Sequence, residues 1–140
     1  MQLPFQPIMI TFAAHCGKPL RRLVSATSSS QKRWMAVVNL SDESKVEQFS
    51  SQNSKSVLYF TATWCPPCKV IKPVYEKMSE KHPTVAFGKV DVDENSDSAA
   101  NFEISAVPTF IVFDGKTPIE KFSGADAGLL EKHVVDLEGR

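Results

Sequence analysis

From residue 37 to the end of the chain, apolar positions switch repeatedly between a strand-like and a helix-like pattern. The run Val37-Val38-Asn39-Leu40 is short and β-branched, and it ends at Ser41, a residue type suited to cap a helix. Asp42 to Gln52 then reads as a helix with Val46 and Phe49 on one face and acidic residues in its first turn. Residues 56–63, "SVLYFTAT", form the continuous apolar run expected of a strand covered on both faces. Val70, Ile71, Val74 and Met78 recur at helical spacing as far as Lys81, and Pro73 predicts a kink inside that helix. A third strand is expected over 84–92, a short helix from Ser96 to Phe102, and a strand over 109–113. Asp114-Gly115 marks a turn, with Ile119 to Phe122 as the returning hairpin partner. Gly128 to Leu137 closes the chain with a helix that places Leu130, Val134 and Leu137 on one face. The resulting order, β-α-β-α-β-α-β-β-α, is that of an α/β domain with a central mixed β-sheet flanked by helices.

The region before this pattern has a different character. Residues 1–41 hold Lys18, Arg21, Arg22, Lys32 and Arg33 and no acid, while the other 11 basic residues share the remainder with all 16 acidic ones. The overall charge of zero therefore hides two segments with different roles, and it argues against nucleic acid as a partner. Residues 1–34 are basic, acid-free and serine-rich, the composition of an organellar transit peptide. In a secretory signal the positive charges would precede the apolar run "IMITFAA"; here they follow it, and the run is too short to span a bilayer. The expectation is a transit peptide over 1–34 and a working domain over 35–140. The destination expected is the mitochondrial matrix, with chloroplast or cytoplasm as alternatives.

Three cysteines are too few for a disulfide-stapled secreted scaffold, and Cys16 falls in the basic segment. Cys65 and Cys68 sit three apart in "WCPPCK", directly after the buried strand and at the opening of the long helix. A structural zinc would need two further ligands from His82, His133 or carboxylates, and the sequence has no second C-x-x-C or H-x-x-x-H. The strand-then-helix context favours redox chemistry instead. At a helix N-terminus, Cys65 faces unpaired N–H groups and the positive end of the dipole, which favour a thiolate. Lowering a thiol pKa from about 8.5 to about 7 raises the thiolate fraction at pH 7 from roughly 3% to roughly 50%. With Cys65 at the N-cap, Pro66 falls at N1 and Pro67 at N2, so the N–H of Cys68 remains as the donor to the cap.

Taken together, "FTATWCPPCK" with Pro73 beyond it, "KVDVDEN" (89–95), "AVPTFIVF" (106–113) and "FSGAD" (122–126) resemble thioredoxin over about residues 35–138. Within the family, the strand before the motif and the basic leader are most similar to the mitochondrial o-type thioredoxins of plants. The resemblance implies the thioredoxin fold and a protein-disulfide reductase that needs no bound cofactor or metal. It implies Cys65 as nucleophile, Cys68 as resolving thiol, and a cis Pro108 packed against their disulfide. Trp64, Pro67, Val107, Pro108 and Gly124 would form the rim on which substrates dock, with Val107 offering backbone hydrogen bonds. The implied partners are disulfide-containing proteins and an NADPH- or ferredoxin-linked thioredoxin reductase, with the protein itself a monomer independent of any membrane.

Two positions depart from the family pattern. Tyr59 stands six residues before Cys65, where many members carry a buried Asp that takes the proton of the resolving thiol, although Lys89 matches the lysine that accompanies it. Tyr59 is expected to serve in packing, leaving water to take the proton. Pro66 stands where the family usually has Gly. Pro-Pro variants occur in cytochrome-maturation, tryparedoxin- and nucleoredoxin-like relatives, but those carry insertions before the cis proline. Here Pro108 lies only 40 positions after Cys68. The alternative function is a redox-inactive or metal-binding docking module of the same fold.

Overall fold

A computed structural model describes residues 36–140; the expected leader over 1–34, its boundary at residue 35, and Cys16 lie outside the described residues. The elements run β1 (Val38–Asn39), α1 (Glu43–Gln52), β2 (Lys55–Thr61), α2 (Pro66–Lys81), β3 (Ala86–Asp91), α3 (Ser96–Asn101), β4 (Thr109–Asp114), β5 (Thr117–Ser123) and α4 (Ala127–Glu138). Their order is the expected one, with boundaries shifted by up to two residues.

The strands form a mixed sheet in the order β1-β3-β2-β4-β5. The three N-terminal strands are parallel, while β4 runs antiparallel to β2 and β5 antiparallel to β4. A parallel connection needs a crossover, and α1 and α2 supply the crossovers between parallel strands. β2 lies at the centre and, from Ser56 onward, is buried along its whole length, which explains its unbroken apolar run. β5 is the outer strand on one side. Pro118, Glu120 and Lys121 make it a poor template for further pairing, and the register slips between Val112 and Phe113.

Successive residues of the central strands point to opposite faces and so feed two cores. Val57, Tyr59, Phe87, Phe110 and Val112 pack with Cys68, Ile71, Tyr75 and Met78 of α2 and Leu130, Val134 and Leu137 of α4. Leu58, Phe60, Ala86, Val90, Ile111 and Phe113 pack with Val46 and Phe49 of α1, with Phe102 and Ile104 beside them. In this second core the approach is close at Gly88: a Cβ there would lie 2.9 Å from both Leu40 Cδ1 and Leu58 Cδ2.

The helix ends correct two expectations. Asp42, not Ser41, caps α1: its Oδ1 accepts the Lys45 N–H at 3.0 Å. Hydrogen bonds from the Ser44 hydroxyl and from Lys45 hold the Asp42 carboxyl well below the usual range, and a carboxylate also complements the helix dipole. α4 begins one residue early, at Ala127, because Asp126 accepts the Leu129 N–H at 3.0 Å. A third correction concerns α2. Val70 is 69% exposed, and Tyr75 joins Ile71 and Met78 on the buried face. The seam runs 68-71-75-78, and at 3.6 residues per turn position 70 falls off it. Pro73 lies inside α2 at an exposed position, and the helix continues past it to Lys81.

Candidate active site

Because β2 ends at Thr61, the chain leaves the sheet and turns into α2 within a few residues. Cys65 N–H donates to the Ala62 carbonyl at 3.3 Å, closing that turn. Cys65 is the N-cap of α2 with extended backbone angles, and Pro66 and Pro67 occupy the first two helical positions. Its Sγ accepts the N–H of Cys68 at 3.2 Å, the donor that the two prolines leave in place. The two cysteines are joined as a disulfide, with Cα atoms 5.3 Å apart. Both are nearly covered, 1% and 2% exposed. Of the two sulfurs, that of Cys65 sits at the helix end, where the N–H groups and dipole stabilise negative charge once the bond is reduced. Thiolate attack on a disulfide is the chemistry this arrangement supports.

Facing the disulfide is the turn into β4. The Val107-Pro108 peptide bond is cis. Cys65 Sγ lies 3.6 Å from the Val107 carbonyl oxygen. Gly124 donates its N–H to the Pro108 carbonyl at 2.8 Å and has φ of +111°, a conformation that disfavours side chains even though no atom crowds the site. Thr109 donates its hydroxyl to the Ala106 carbonyl at 2.7 Å, so in its 2.6 Å contact with Ser123 the Ser123 hydroxyl is the donor. Trp64 is 65% exposed and donates its indole N–H to Asp93 Oδ2 at 3.0 Å. Pro66 and Pro67 are exposed beside it, whereas Val107 and Gly124 are half-buried and Pro108 is buried. Cys65 and Val107 are thus brought into contact, and so are Pro108 and Gly124. Trp64 and Pro67 flank the cysteines on the surface.

Behind the disulfide, Tyr59 is 1% exposed. Its hydroxyl donates to the Cys68 carbonyl at 3.0 Å, and its ring stacks on Phe110. Burial pushes its pKa above the usual tyrosine value, so it stays a neutral anchor joining β2 to α2. Tyr75 ties α2 to the sheet about two turns along: its hydroxyl lies 2.8 Å from the Val57 carbonyl and 2.9 Å from that of Gly88, and burial raises its pKa strongly. Lys89, half-buried, lines a cavity of about 220 Å³ together with Tyr59, Cys68 and Asp91. Among the described residues, no group of three or more His, Cys, Asp or Glu is placed to hold a metal ion.

Sequence reasoning missed Asp93, Tyr75 and Asp91. The two aspartates lie in the quoted "KVDVDEN" stretch, whose alternation sets Lys89 and Asp91 on the face opposite Val90 but does not say that α2 covers that face. Tyr75 falls four residues after Ile71, a helical spacing that an apolar count overlooks because tyrosine carries a hydroxyl.

The thioredoxin family model matches residues 36–135. The chain belongs to the thioredoxin family. It is 36% identical over 123 residues to the yeast (Saccharomyces cerevisiae) protein named Thioredoxin-3, mitochondrial, a match covering 86% of this chain and 97% of that one. It is 43% identical over 93 residues to the TPR repeat-containing thioredoxin TDX of Arabidopsis thaliana; the match takes in 66% of this chain but spans only 24% of that longer protein. Among solved structures, oxidised mitochondrial thioredoxin 3 of Saccharomyces cerevisiae aligns with a TM-score of 0.70 at 39% identity, over 72% of this chain and 95% of that one. The pair Cys65–Cys68 stands in the active-site position of a thiol–disulfide oxidoreductase, and the family acts as protein-disulfide reductases. Disulfide-bearing proteins and a reductase are the partners that membership brings.

Proposed function

We propose that Cys65 is the attacking thiol and Cys68 the resolving one. The observation that carries this is the position of Cys65 Sγ, which caps α2 and accepts the Cys68 N–H. Cys68 sits one turn into the helix, as covered as Cys65 and joined to it, and is placed to attack the mixed disulfide after it forms on Cys65. The incoming chain lies across Trp64, Pro67, Val107, Pro108 and Gly124. The Val107 carbonyl, 3.6 Å from Cys65 Sγ, accepts a backbone hydrogen bond from it. Tyr59 and Pro66 support the site by anchoring and stiffening the start of α2, and Lys89 borders the cavity behind Cys68.

The protein acts as a monomer, recharged by an NADPH- or ferredoxin-linked reductase. The acid-free leader over 1–34 and the likeness to a protein named as mitochondrial support a matrix location after cleavage of that leader. Two measurements test the reading. Thiol titration of the protein before and after incubation with a thioredoxin reductase and its reductant is expected to gain two thiols; no gain would exclude a cycling disulfide. N-terminal sequencing of native protein is expected to begin near residue 35, and a start at Met1 would exclude cleavage.

A further inference from the structure

The parallel register of β2 and β3 sets Tyr59 beside Lys89 and Thr61 beside Asp91. Alternate residues of a strand share a face, so these four form one patch on the side of the sheet covered by α2. The patch floors the cavity of about 220 Å³, and Cys68 forms part of its wall. At about 30 Å³ per molecule this space admits several waters. Asp91 is only 7% exposed. Its Oδ1 accepts the Asp93 N–H at 3.0 Å, while Oδ2 has no hydrogen-bond or ion-pair partner among the described residues. An inward carboxylate with an unused oxygen, on the wall shared with a thiol that must lose a proton, is a group the cysteine cycle alone leaves without a role.

We propose that Asp91 accepts the proton of Cys68, relayed by water in this cavity, when Cys68 resolves the mixed disulfide. The proposal rests on Cys68 being the resolving thiol, as proposed above. The Cys68 S–H bond breaks and its proton passes through water to the Asp91 carboxylate. The Cys68 thiolate attacks Cys65 Sγ, the Cys65–Cys68 bond forms, and the bond from Cys65 to the substrate sulfur breaks, releasing the substrate as a thiolate. Two electrons pass from the dithiol to the substrate disulfide, and no other reductant is needed. Asp91 then returns the proton to solvent at the cavity mouth. Tyr59 is not the acceptor: it is neutral, and its own proton is engaged on the Cys68 carbonyl. The other charged groups on the cavity are Lys69 and Lys72 from α2 and Lys89 from β3.

The test mixes reduced full-length protein, with Cys16 replaced by Ser, with an aromatic disulfide whose thiolate is coloured. Stopped-flow absorbance follows two releases, the first from attack by Cys65 and the second from resolution by Cys68, between pH 6 and 9. In Asp91→Asn the first phase is expected to keep its rate within twofold. The second is expected to slow at least fivefold at pH 7, with its pH midpoint moved upward. Asp91→Glu, which keeps a carboxylate in the cavity, is expected to restore at least half of the second rate. A carboxylate acting only through its charge would have the opposite effect, because removing it eases ionisation of Cys68 and lowers the midpoint. An unchanged or faster second phase in Asp91→Asn, with a normal first phase, overturns the role of Asp91 alone. A first phase that survives replacement of Cys65 with only the second lost, while replacement of Cys68 removes both, overturns the thiol assignment and this proposal with it.

Discussion

On one face of the sheet, Val46 and Phe49 of α1 close over Leu40, Leu58, Phe60 and Gly88 in an apolar cluster tight enough to leave no room for a Cβ at Gly88. On the other, the core beneath α2 and α4 includes both cysteines and two tyrosine hydroxyls, and it opens into a cavity edged by Lys89 and Asp91. Each tyrosine hydroxyl there has a backbone carbonyl to donate to. That is the condition under which polar groups sit in a core at little cost, since an unsatisfied one costs about 1–3 kcal/mol. The first face supplies packing. The second trades some packing for anchors that fix the start of α2, where the sulfur chemistry takes place.

The sharpest way to break this division is a pair of substitutions, one on each side. Cys65→Ser is expected to abolish disulfide reduction while changing the stability of the reduced protein by less than about 1 kcal/mol, since Ser keeps an acceptor at the N-cap. Phe49→Ala is expected to cost about 3–5 kcal/mol by opening a cavity, with disulfide reduction near the wild-type rate below its melting temperature. Denaturant unfolding and a reductase-coupled assay on both variants check this. A tenfold loss of rate in folded Phe49→Ala would show that the faces are not separable.

Within the chemical face, Tyr75→Phe removes one proton shared between the Val57 and Gly88 carbonyls and is expected to cost about 0.5–1.5 kcal/mol. Denaturant midpoints measure it, and no loss would mean the hydroxyl is not an anchor. Pro66→Gly is expected to cost about 0.4–1 kcal/mol through the freer unfolded chain. Because the Cys68 N–H to Cys65 Sγ bond does not depend on Pro66, the reduction potential should move by less than about 30 mV. Titration against a glutathione buffer decides it, and a shift beyond about 60 mV would make Pro66 a tuning residue.

The smallest effect is expected far from the cysteines, where α4 ends. Hydrogen bonds from the Thr84 hydroxyl and His82, with the nearby Lys55 charge, lower the Glu138 pKa, although burial opposes them. A depressed carboxylate pKa adds stability above the ordinary glutamate value near 4.5, and that stability disappears as pH falls through the lower folded value. Glu138→Gln should therefore lose under about 1 kcal/mol at pH 7, for a partly exposed site, and the difference should vanish in acid. A difference that persisted at pH 3 would point to shape and not charge.

Much of this is legible in the sequence, for physical reasons that differ by element. β2 announced itself because a central strand is apolar throughout, and the cap of α2 followed from two prolines that leave one donor. Ser41 against Asp42 was not resolvable from residue type, because both are good caps and the outcome turned on which reached the Lys45 N–H. An apolar count places Val70 on the buried face of α2 and passes over Tyr75, whose ring fills the buried seam. Tyr59 was read as packing, and it is buried, but its bond to the Cys68 carbonyl depends on how close α2 lies to β2. The inward turn of Asp91 likewise needed the register of β2 against β3.

The central claim is that position at the end of α2 assigns the two sulfurs unequal work. Full-length protein with Cys16→Ser and Cys68→Ser, incubated with a protein carrying one disulfide and then digested, gives a direct answer by mass mapping of the mixed disulfide. The account predicts a stable adduct through Cys65, and no adduct from the matching Cys65→Ser variant. An adduct accumulating through Cys68 in Cys65→Ser, with Cys68→Ser turning over normally, would contradict it.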